Sequence, residues 1–217
     1  MLSADYYNVI TSLLSVVSIV VAFYALYFTQ MNPAKLSSII GPEMQVCYTD
    51  YQNGDEGLGI LLPVTFANSG ARTGIVVRAS LLLYRKDTPN QRFYLQWDHF
   101  EKLYFDKNVW APEDTSHPLA VAANSTTMKV IWFMWHASSK PKLVIREGTY
   151  VLVFCFWNEN ETMPRTESHE ISFDSEMCNA LESYRSKKEE SNVAIRLDTY
   201  QANQAMTSDV SSKLLGA

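Results

Sequence analysis

The chain has 217 residues, of which 47% are hydrophobic and 12% aromatic, and its 18 basic and 23 acidic side chains give a formal net charge of −5. This length suffices for one folded domain in addition to an anchor segment. The acidic balance and the absence of a long basic block exclude the usual electrostatic footprint of nucleic-acid-binding proteins, so we expect no nucleic-acid partner.

The N-terminal stretch Tyr6–Thr29 is apolar, and no charged residue lies between Asp5 and Lys35. About 20 apolar residues in a helix cross the hydrocarbon core of a bilayer, and Val9–Phe28 supplies that length without Pro or Gly. We therefore predict a single-pass transmembrane helix within residues 1–33. It has neither the basic n-region nor the A-x-A site of a cleaved signal peptide, so we expect it to stay attached.

Small and polar residues recur along this segment in steps of three and four, which places them on one face of a helix. We call this face the seam, and its members are Asn8, Thr11, Ser15, Ser18, Ala22, Ala25 and Thr29. Small residues let a second helix approach closely, and Ser or Thr can form hydrogen bonds across the contact. The seam predicts packing against a second copy or another membrane protein. The alternative is that Ser and Ala are simply common in membrane helices.

The charges beside the apolar segment predict its orientation. No Lys or Arg precedes the segment, and Lys35 follows it. Because basic residues favour the cytoplasmic side, we expect the folded domain in the cytoplasm, anchored in the inner membrane if the source is bacterial.

Asn32-Pro33 predicts the end of the helix, and a linker is expected over residues 34–43. From residue 44 to 198, β-branched and aromatic runs alternate with turn residues, which predicts an all-β, antiparallel domain. The polar stretch 199–217 is predicted to be a tail. The predicted strands are Met44–Tyr51, Gly59–Ala67, Gly74–Tyr84, Phe93–Trp97, Leu119–Ala122, Met128–Trp135, Tyr150–Trp157, His169–Phe173 and Val193–Leu197.

Three of these segments, Leu61–Gly70, Gly74–Val77 and Gly148–Leu152, resemble the strand and turn patterns of immunoglobulin-like β-sandwiches. In that fold a Gly-x-Tyr-x-hydrophobe run often begins a late strand near a tyrosine corner. Leu152 stands where an antibody domain carries its second cysteine. The resemblance therefore implies an antiparallel sandwich without the inter-sheet disulfide, and it implies no particular activity.

Two predicted strands, Val130–Trp135 and Tyr150–Trp157, are apolar at every position, so both of their faces need cover. One face belongs to the core, and the other needs a helix of the same chain, a neighbouring subunit or the membrane surface. We favour a helix over residues 175–188, whose apolar stripe comprises Met177, Ala180, Leu181 and Tyr184.

Metal, cofactor and redox chemistry have no sequence signature in this chain. Cys47, Cys155 and Cys178 form no C-x-x-C motif, and the histidines, which show no metal-binding spacing, are His99, His117, His136 and His169. We therefore expect no cofactor and no metal, and buried, reduced thiols. A bridge between Cys47 and Cys155 remains an alternative.

Asp98, His99 and Glu101 form the densest group of potential acid–base residues. In a regular strand Trp97, His99 and Glu101 would share one face and Asp98 the other, which does not build an acid–base pair. The group is interpreted as the polar end of a strand, and an enzyme of unfamiliar type that uses it is the alternative.

Aromatic residues are concentrated in the middle of the chain, more than one sheet face requires. We predict that Tyr94, Trp97, Tyr104 and Trp110 form a surface for a partner or ligand, whereas the alternative is that they fill a large core.

These features together predict a non-enzymatic interaction module, an accessory or sensor subunit of a transport, envelope or bacterial defence complex that oligomerises through its transmembrane helix. A carbohydrate-binding module that stacks sugars on Trp97, Trp110 or Tyr104 is a further alternative. It predicts a domain outside the cytoplasm.

Overall fold

The computed structural model describes residues 4–52, 55–104, 109–159 and 161–197, and the predicted tail 199–217 lies outside this range. The first element is helix α1, Ala4–Leu26, which continues into a π-helical turn, Tyr27–Met31. The elements that follow are β1 Leu36–Ile40, β2 Glu43–Gln52, β3 Asp55–Asn68, β4 Gly74–Arg85, β5 Arg92–Tyr104, β6 Val109–Thr115, β7 Leu119–Val121, β8 Ser125–Trp135, β9 Gly148–Asn158, β10 Arg165–Phe173, α2 Ser175–Lys187 and β11 Val193–Arg196.

The N-terminal helix stands apart from the rest of the chain. Its apolar stretch, Tyr6–Met31, has a mean hydropathy of 2.4 and is exposed along its whole length. The π-helical turn ends at Asn32, whose backbone is extended because Pro33 follows it. By length and composition this helix can cross a bilayer, as the sequence predicted.

The described strands form one antiparallel sheet in the order β10-β9-β4-β5-β8-β3-β2-β11. In addition β1 pairs with β3, β6 with β5, and β7 with β4. The sheet curls until β10 approaches β1, where the Ser38 hydroxyl donates to Glu167 at 3.0 Å and the Arg165 guanidinium donates to the Leu36 carbonyl. The domain is therefore all-β and barrel-like. The immunoglobulin-like sandwich is not confirmed.

The inward faces of the strands enclose an aromatic and aliphatic core. Burial of a large apolar side chain contributes about 1.5–3 kcal/mol, so these positions dominate the stability of the domain. The largest fully buried aromatic side chains are Tyr48, Phe66, Phe100, Phe133, Phe154, Phe156 and Phe173.

Asp174 caps the N-terminus of helix α2, because its carboxylate accepts a hydrogen bond of 2.8 Å from the Met177 backbone. Leu181 is buried, and Met177 and Cys178 pack against the same interior cluster as the inward faces of the strands. Helix α2 therefore contributes to the interior of the barrel. The prediction that it covers the outer faces of Val130–Trp135 and Tyr150–Trp157 is wrong.

The predicted linker over residues 34–43 is largely strand, because Leu36–Ile40 pairs with β3. The segment between the N-terminal helix and β1 is held to the barrel by Asn68, a buried residue at the end of β3. Its amide oxygen accepts from the backbones of Lys35 and Gly70. Its amide nitrogen donates to the carbonyl groups of Arg72, Val121 and Ala122.

Candidate functional site

Strands β4 and β5 diverge part of the way along the barrel. They pair from Tyr84–Arg92 to Ser80–Gln96, after which β4 pairs with β7 and β5 pairs with β6. The divergence opens a fork in the sheet. Each strand also carries a register shift beside the fork, at Val77 in β4 and at Asp98 in β5. Such bulges re-aim side chains and are frequent next to functional sites.

The fork contains a cavity of about 600 Å³, which we call the fork cavity. This volume lies within the range of about 300–1,000 Å³ that is typical of small-molecule sites. The cavity is lined by Val77, Arg78, Ala79, Ser80, Tyr94, Gln96, Trp97, Ser116, His117, Pro118 and Trp157.

Arg78 and Trp157 form one wall of the fork cavity. The two residues are register partners on β4 and β9, and the bulge at Val77 directly precedes Arg78. The Arg78 guanidinium lies 3.9 Å from the centre of the Trp157 ring, which is the geometry of a cation–π contact. This contact holds the Arg78 guanidinium against the Trp157 ring in the wall of the cavity.

Two of the four aromatic residues predicted as a binding surface line this cavity. Tyr94 is 57% exposed, and Trp97 is half-buried with its ring 5.0 Å from that of Phe100. Trp110 lies elsewhere, and the side chain of Tyr104 lies outside the described part of the chain. Tyr94 and Trp97 of the predicted surface thus lie beside Arg78 and Trp157, which the sequence did not single out.

Asp98, His99 and Glu101 converge on the outer face of the barrel. His99 Nδ1 lies 2.7 Å from Asp98 Oδ2, and Nε2 lies 2.8 Å from Glu101 Oε1. The bulge leaves Asp98 without a register partner on β8, between Trp97, which faces Phe133 in the core, and His99, which faces Trp132. The predicted alternation, with Trp97 and His99 on one face, is wrong because this extra residue reverses the phase of the strand.

This histidine cluster is closed, in the sense that both ring nitrogens of His99 already have partners. Both ring nitrogens of His99 contact a carboxylate, and the ring stacks on Trp132 at 5.7 Å. A general base needs a ring nitrogen within reach of the substrate proton. In this arrangement His99 could act as a base only if Asp98 or Glu101 moved away from its ring.

Trp132 belongs to a small apolar cluster on the outer face of the sheet. Its buried members are Cys47, Leu61, Trp132 and Met134, and Trp110 and Val130 pack against them. Gly59 makes the cluster possible, because a Cβ at this position would collide with the Trp132 ring. Trp110 of β6 thus helps to cover the outer face of β8, for which the sequence analysis predicted a helix as the cover.

The cysteines carry free thiols and do not form a bridge. Burial raises the pKa of Cys47 to about 12, with a further contribution from the charges of Glu190 and Glu101. Burial also raises the pKa of Cys155 and Cys178. Protonated thiols are poor nucleophiles and poor metal ligands. Among the residues that the structure describes, no group of three or more His, Cys, Asp or Glu could hold a metal ion.

The seven seam residues lie on the N-terminal helix and its π-helical end. Four of them use their hydroxyl hydrogens within the helix, since Thr11, Ser15, Ser18 and Thr29 donate to carbonyl groups four residues earlier at 2.7–2.8 Å. Their oxygens keep acceptor capacity towards a neighbouring helix.

No protein-family model and no curated protein matches the sequence. Similar solved structures include a Bacillus subtilis protein described as a lipoprotein, at 13% identity and a TM-score of 0.38, which aligns over 70% of this chain and 42% of its own length. A Bordetella pertussis protein named ApaA matches at 10% identity and a TM-score of 0.32, over 77% of this chain and 98% of its own. A family 123 glycoside hydrolase from Clostridium perfringens matches at 11% identity and a TM-score of 0.33, over 62% of this chain and 26% of its own. At TM-scores this low the similarities carry no inference about function.

Proposed function

We propose that this protein is a membrane-anchored, non-enzymatic binding protein, an accessory or sensor subunit that recognises a small ligand in the fork cavity. The cavity itself carries the proposal. It brings the exposed Tyr94, the half-buried Trp97 and the stacked Arg78–Trp157 pair around one opening. Aromatic walls with a few convergent polar groups are the usual composition of a ligand site.

Membrane anchoring is supported by the exposure of the N-terminal helix. Its apolar side chains are not covered by the described part of the barrel, so their transfer from water into an apolar environment is favourable. We place the helix in a bilayer and the barrel on the cytoplasmic side, because the positive charge of Lys35 favours keeping the segment after the helix in the cytoplasm. In a bacterium this membrane would be the inner membrane.

The seam supports assembly within the membrane. Small residues at Ser15, Ser18, Ala22 and Ala25 leave room for the backbone of a second helix. We propose that the helix packs along the seam, with its own copy or with another membrane protein.

A non-enzymatic role is supported by the closed histidine cluster and by the protonated thiols. Neither group offers an activated nucleophile or an accessible base. The alternative is an enzyme that uses Asp98, His99 and Glu101, and it is favoured by the convergence of three ionisable groups on the outer face of the barrel. An activity that is lost in His99→Ala while the fold survives would support this alternative.

A thermal-shift screen tests the binding function. The full chain in detergent micelles would be screened against soluble saccharides, nucleotides, amino acids and organic acids, in parallel with Tyr94→Ala. We expect ligands that stabilise the wild type and lose their effect in Tyr94→Ala. Ligands that stabilise both proteins equally, or the absence of any stabilising ligand, would contradict binding at the fork cavity.

A reporter fused after Ala217 tests the orientation. Activity of a reporter that works only in the cytoplasm supports a cytoplasmic barrel. Activity of a reporter that works only in the periplasm or outside the cell would show that the barrel lies on the other side of the membrane.

A further inference from the structure

The charge of the fork cavity differs from that of the whole protein. Acidic side chains outnumber basic ones in the chain, 23 to 18. The described residues that line the cavity nevertheless include no carboxylate, and they include Arg78. A negatively charged group in this cavity therefore meets the positive charge of Arg78.

Arg78 is the residue placed to bind such a group. Arg85, Arg165 and Arg185 are each held by a carboxylate, whereas the ion pairs formed among the described residues do not include Arg78. The contact with the Trp157 ring is not a hydrogen bond to a carboxylate or carbonyl group, so the N–H groups of Arg78 keep their capacity to donate to a ligand. A planar guanidinium held in this way matches a carboxylate through two parallel hydrogen bonds.

The rest of the cavity is suited to a hydroxylated ring. Gln96, Ser116 and His117 supply polar groups that can form hydrogen bonds. His117 Nδ1 lies 2.8 Å from the Thr115 carbonyl oxygen and 3.6 Å from Asp114 Oδ2, so Nδ1 donates on that side and Nε2 is the ring nitrogen left for a ligand. The exposed ring of Tyr94 offers an apolar face against which the C–H face of a sugar can pack.

We propose that the fork cavity binds a sugar that carries a carboxylate, of the uronic acid class, with the carboxylate paired to Arg78 and the sugar ring packed on Tyr94. This inference rests on the proposed binding function and specifies its ligand. The sugar acid has two sources, a free monosaccharide or the terminal residue of an acidic polysaccharide. Both present the same ring and carboxylate to the cavity.

The test compares two probes that differ only at one carbon, D-galacturonate and D-galactose. Both are titrated into the full chain in detergent micelles, and binding is followed by tryptophan fluorescence, because two of the five tryptophans line the cavity. A third titration with trigalacturonate distinguishes the polysaccharide end from the free monosaccharide. We expect galacturonate to bind at least tenfold more tightly than galactose.

Arg78→Gln and Arg92→Gln form a matched pair of variants. Arg92 also lies over an aromatic ring, Tyr84 at 5.4 Å, but it does not line the fork cavity. We expect Arg78→Gln to abolish the preference for galacturonate and Arg92→Gln to retain it.

The possible results separate this inference from the function on which it rests. Equal affinity for galactose and galacturonate, or a preference that survives in Arg78→Gln, overturns the carboxylate pairing and leaves a binding cavity. Failure of both sugars to bind the wild type overturns the assignment of the ligand class. The proposed function then depends on the separate comparison with Tyr94→Ala.

Discussion

The side-chain amide of Asn68 donates a hydrogen bond of 3.1 Å to the carbonyl oxygen of Val121, which ties the end of β3 to β7. The same side chain also holds Lys35, so one residue joins the anchor to two strands of the barrel. We expect Asn68→Ala to lower the free energy of unfolding by about 2–3 kcal/mol, because it leaves several buried backbone groups without partners. Chemical denaturation in detergent micelles measures this change. Asn90→Ala, at an exposed loop position, is the control and should have little effect.

Gly59 accommodates the ring of Trp132 on the outer face of the barrel. We expect Gly59→Ala to destabilise the domain by about 1–3 kcal/mol, because the added methyl group forces the ring out of its place. The same substitution in a Trp132→Leu background should cost less, since the obstructing ring is gone. Equal costs in the two backgrounds, measured by thermal denaturation, would show that the collision does not determine the role of Gly59.

Leucine substitutions along the seam test helix packing. We expect Ser15→Leu, Ser18→Leu and Ala22→Leu to reduce association of the full chain in lipid bilayers, because each larger side chain keeps the helices apart. Energy transfer between labelled copies measures self-association, and co-purification from membranes measures association with another protein. Val16→Leu and Val20→Leu, on the opposite face, are the controls. Unchanged association in all the seam variants would contradict the proposal that the helix packs along the seam.

The ion pair of Glu161 with Arg165 predicts a pH dependence. The hydrogen bond from Arg165 holds the pKa of Glu161 below its ordinary value of 4.5. A carboxylate with a lowered pKa in the folded state stabilises the fold above its unfolded pKa, and this contribution is lost as the pH falls through the folded value. We expect the unfolding temperature to fall on acidification below about pH 4.5 and to fall less steeply in Glu161→Gln. A parallel pH profile in the variant would show that this pair makes no contribution.

The contacts of His99 predict a structural role. We expect His99→Ala to lower the free energy of unfolding by about 1–3 kcal/mol, because the largely buried Glu101 loses its partner. Adding Glu101→Leu should recover part of the loss, since the unpaired carboxylate is then removed. Denaturation of the single and double variants measures both effects. A double variant as unstable as the sum of the two single variants would argue against this coupling.

The sequence predicted most of the β elements because their side chains alternate and turn residues separate them. Two strands escaped notice for local reasons. The first, Leu36–Ile40, is short and lies between Pro33 and Gly41-Pro42, residues that are typical of loops and therefore predicted a linker. The other, Val109–Thr115, contains Pro112 and three polar residues, and it is a strand because it pairs with the end of β5. In both cases tertiary pairing outweighed local preference.

The candidate site was predicted only in part, because a register between distant strands cannot be read from periodicity. Tyr94 and Trp97 stood out as members of an aromatic cluster. Arg78 and Trp157 are far apart in sequence and meet only because β4 pairs with β9. The bulge at Asp98 was likewise invisible, since strict alternation carries no signal of an inserted residue.

The close fit of Gly70 beneath the Pro33 carbonyl and the contact of Asn68 with the Lys35 backbone attach the chain to the barrel within a few residues of the end of the helix. The helix and the barrel are therefore joined by a short, bound segment rather than by a long linker. If two such helices pack along the seam, each helix is held in one rotation about its own axis. This rotation influences the distance between the two fork cavities and the direction in which they open. A ligand long enough to enter both cavities would bind with a geometry that is set inside the bilayer.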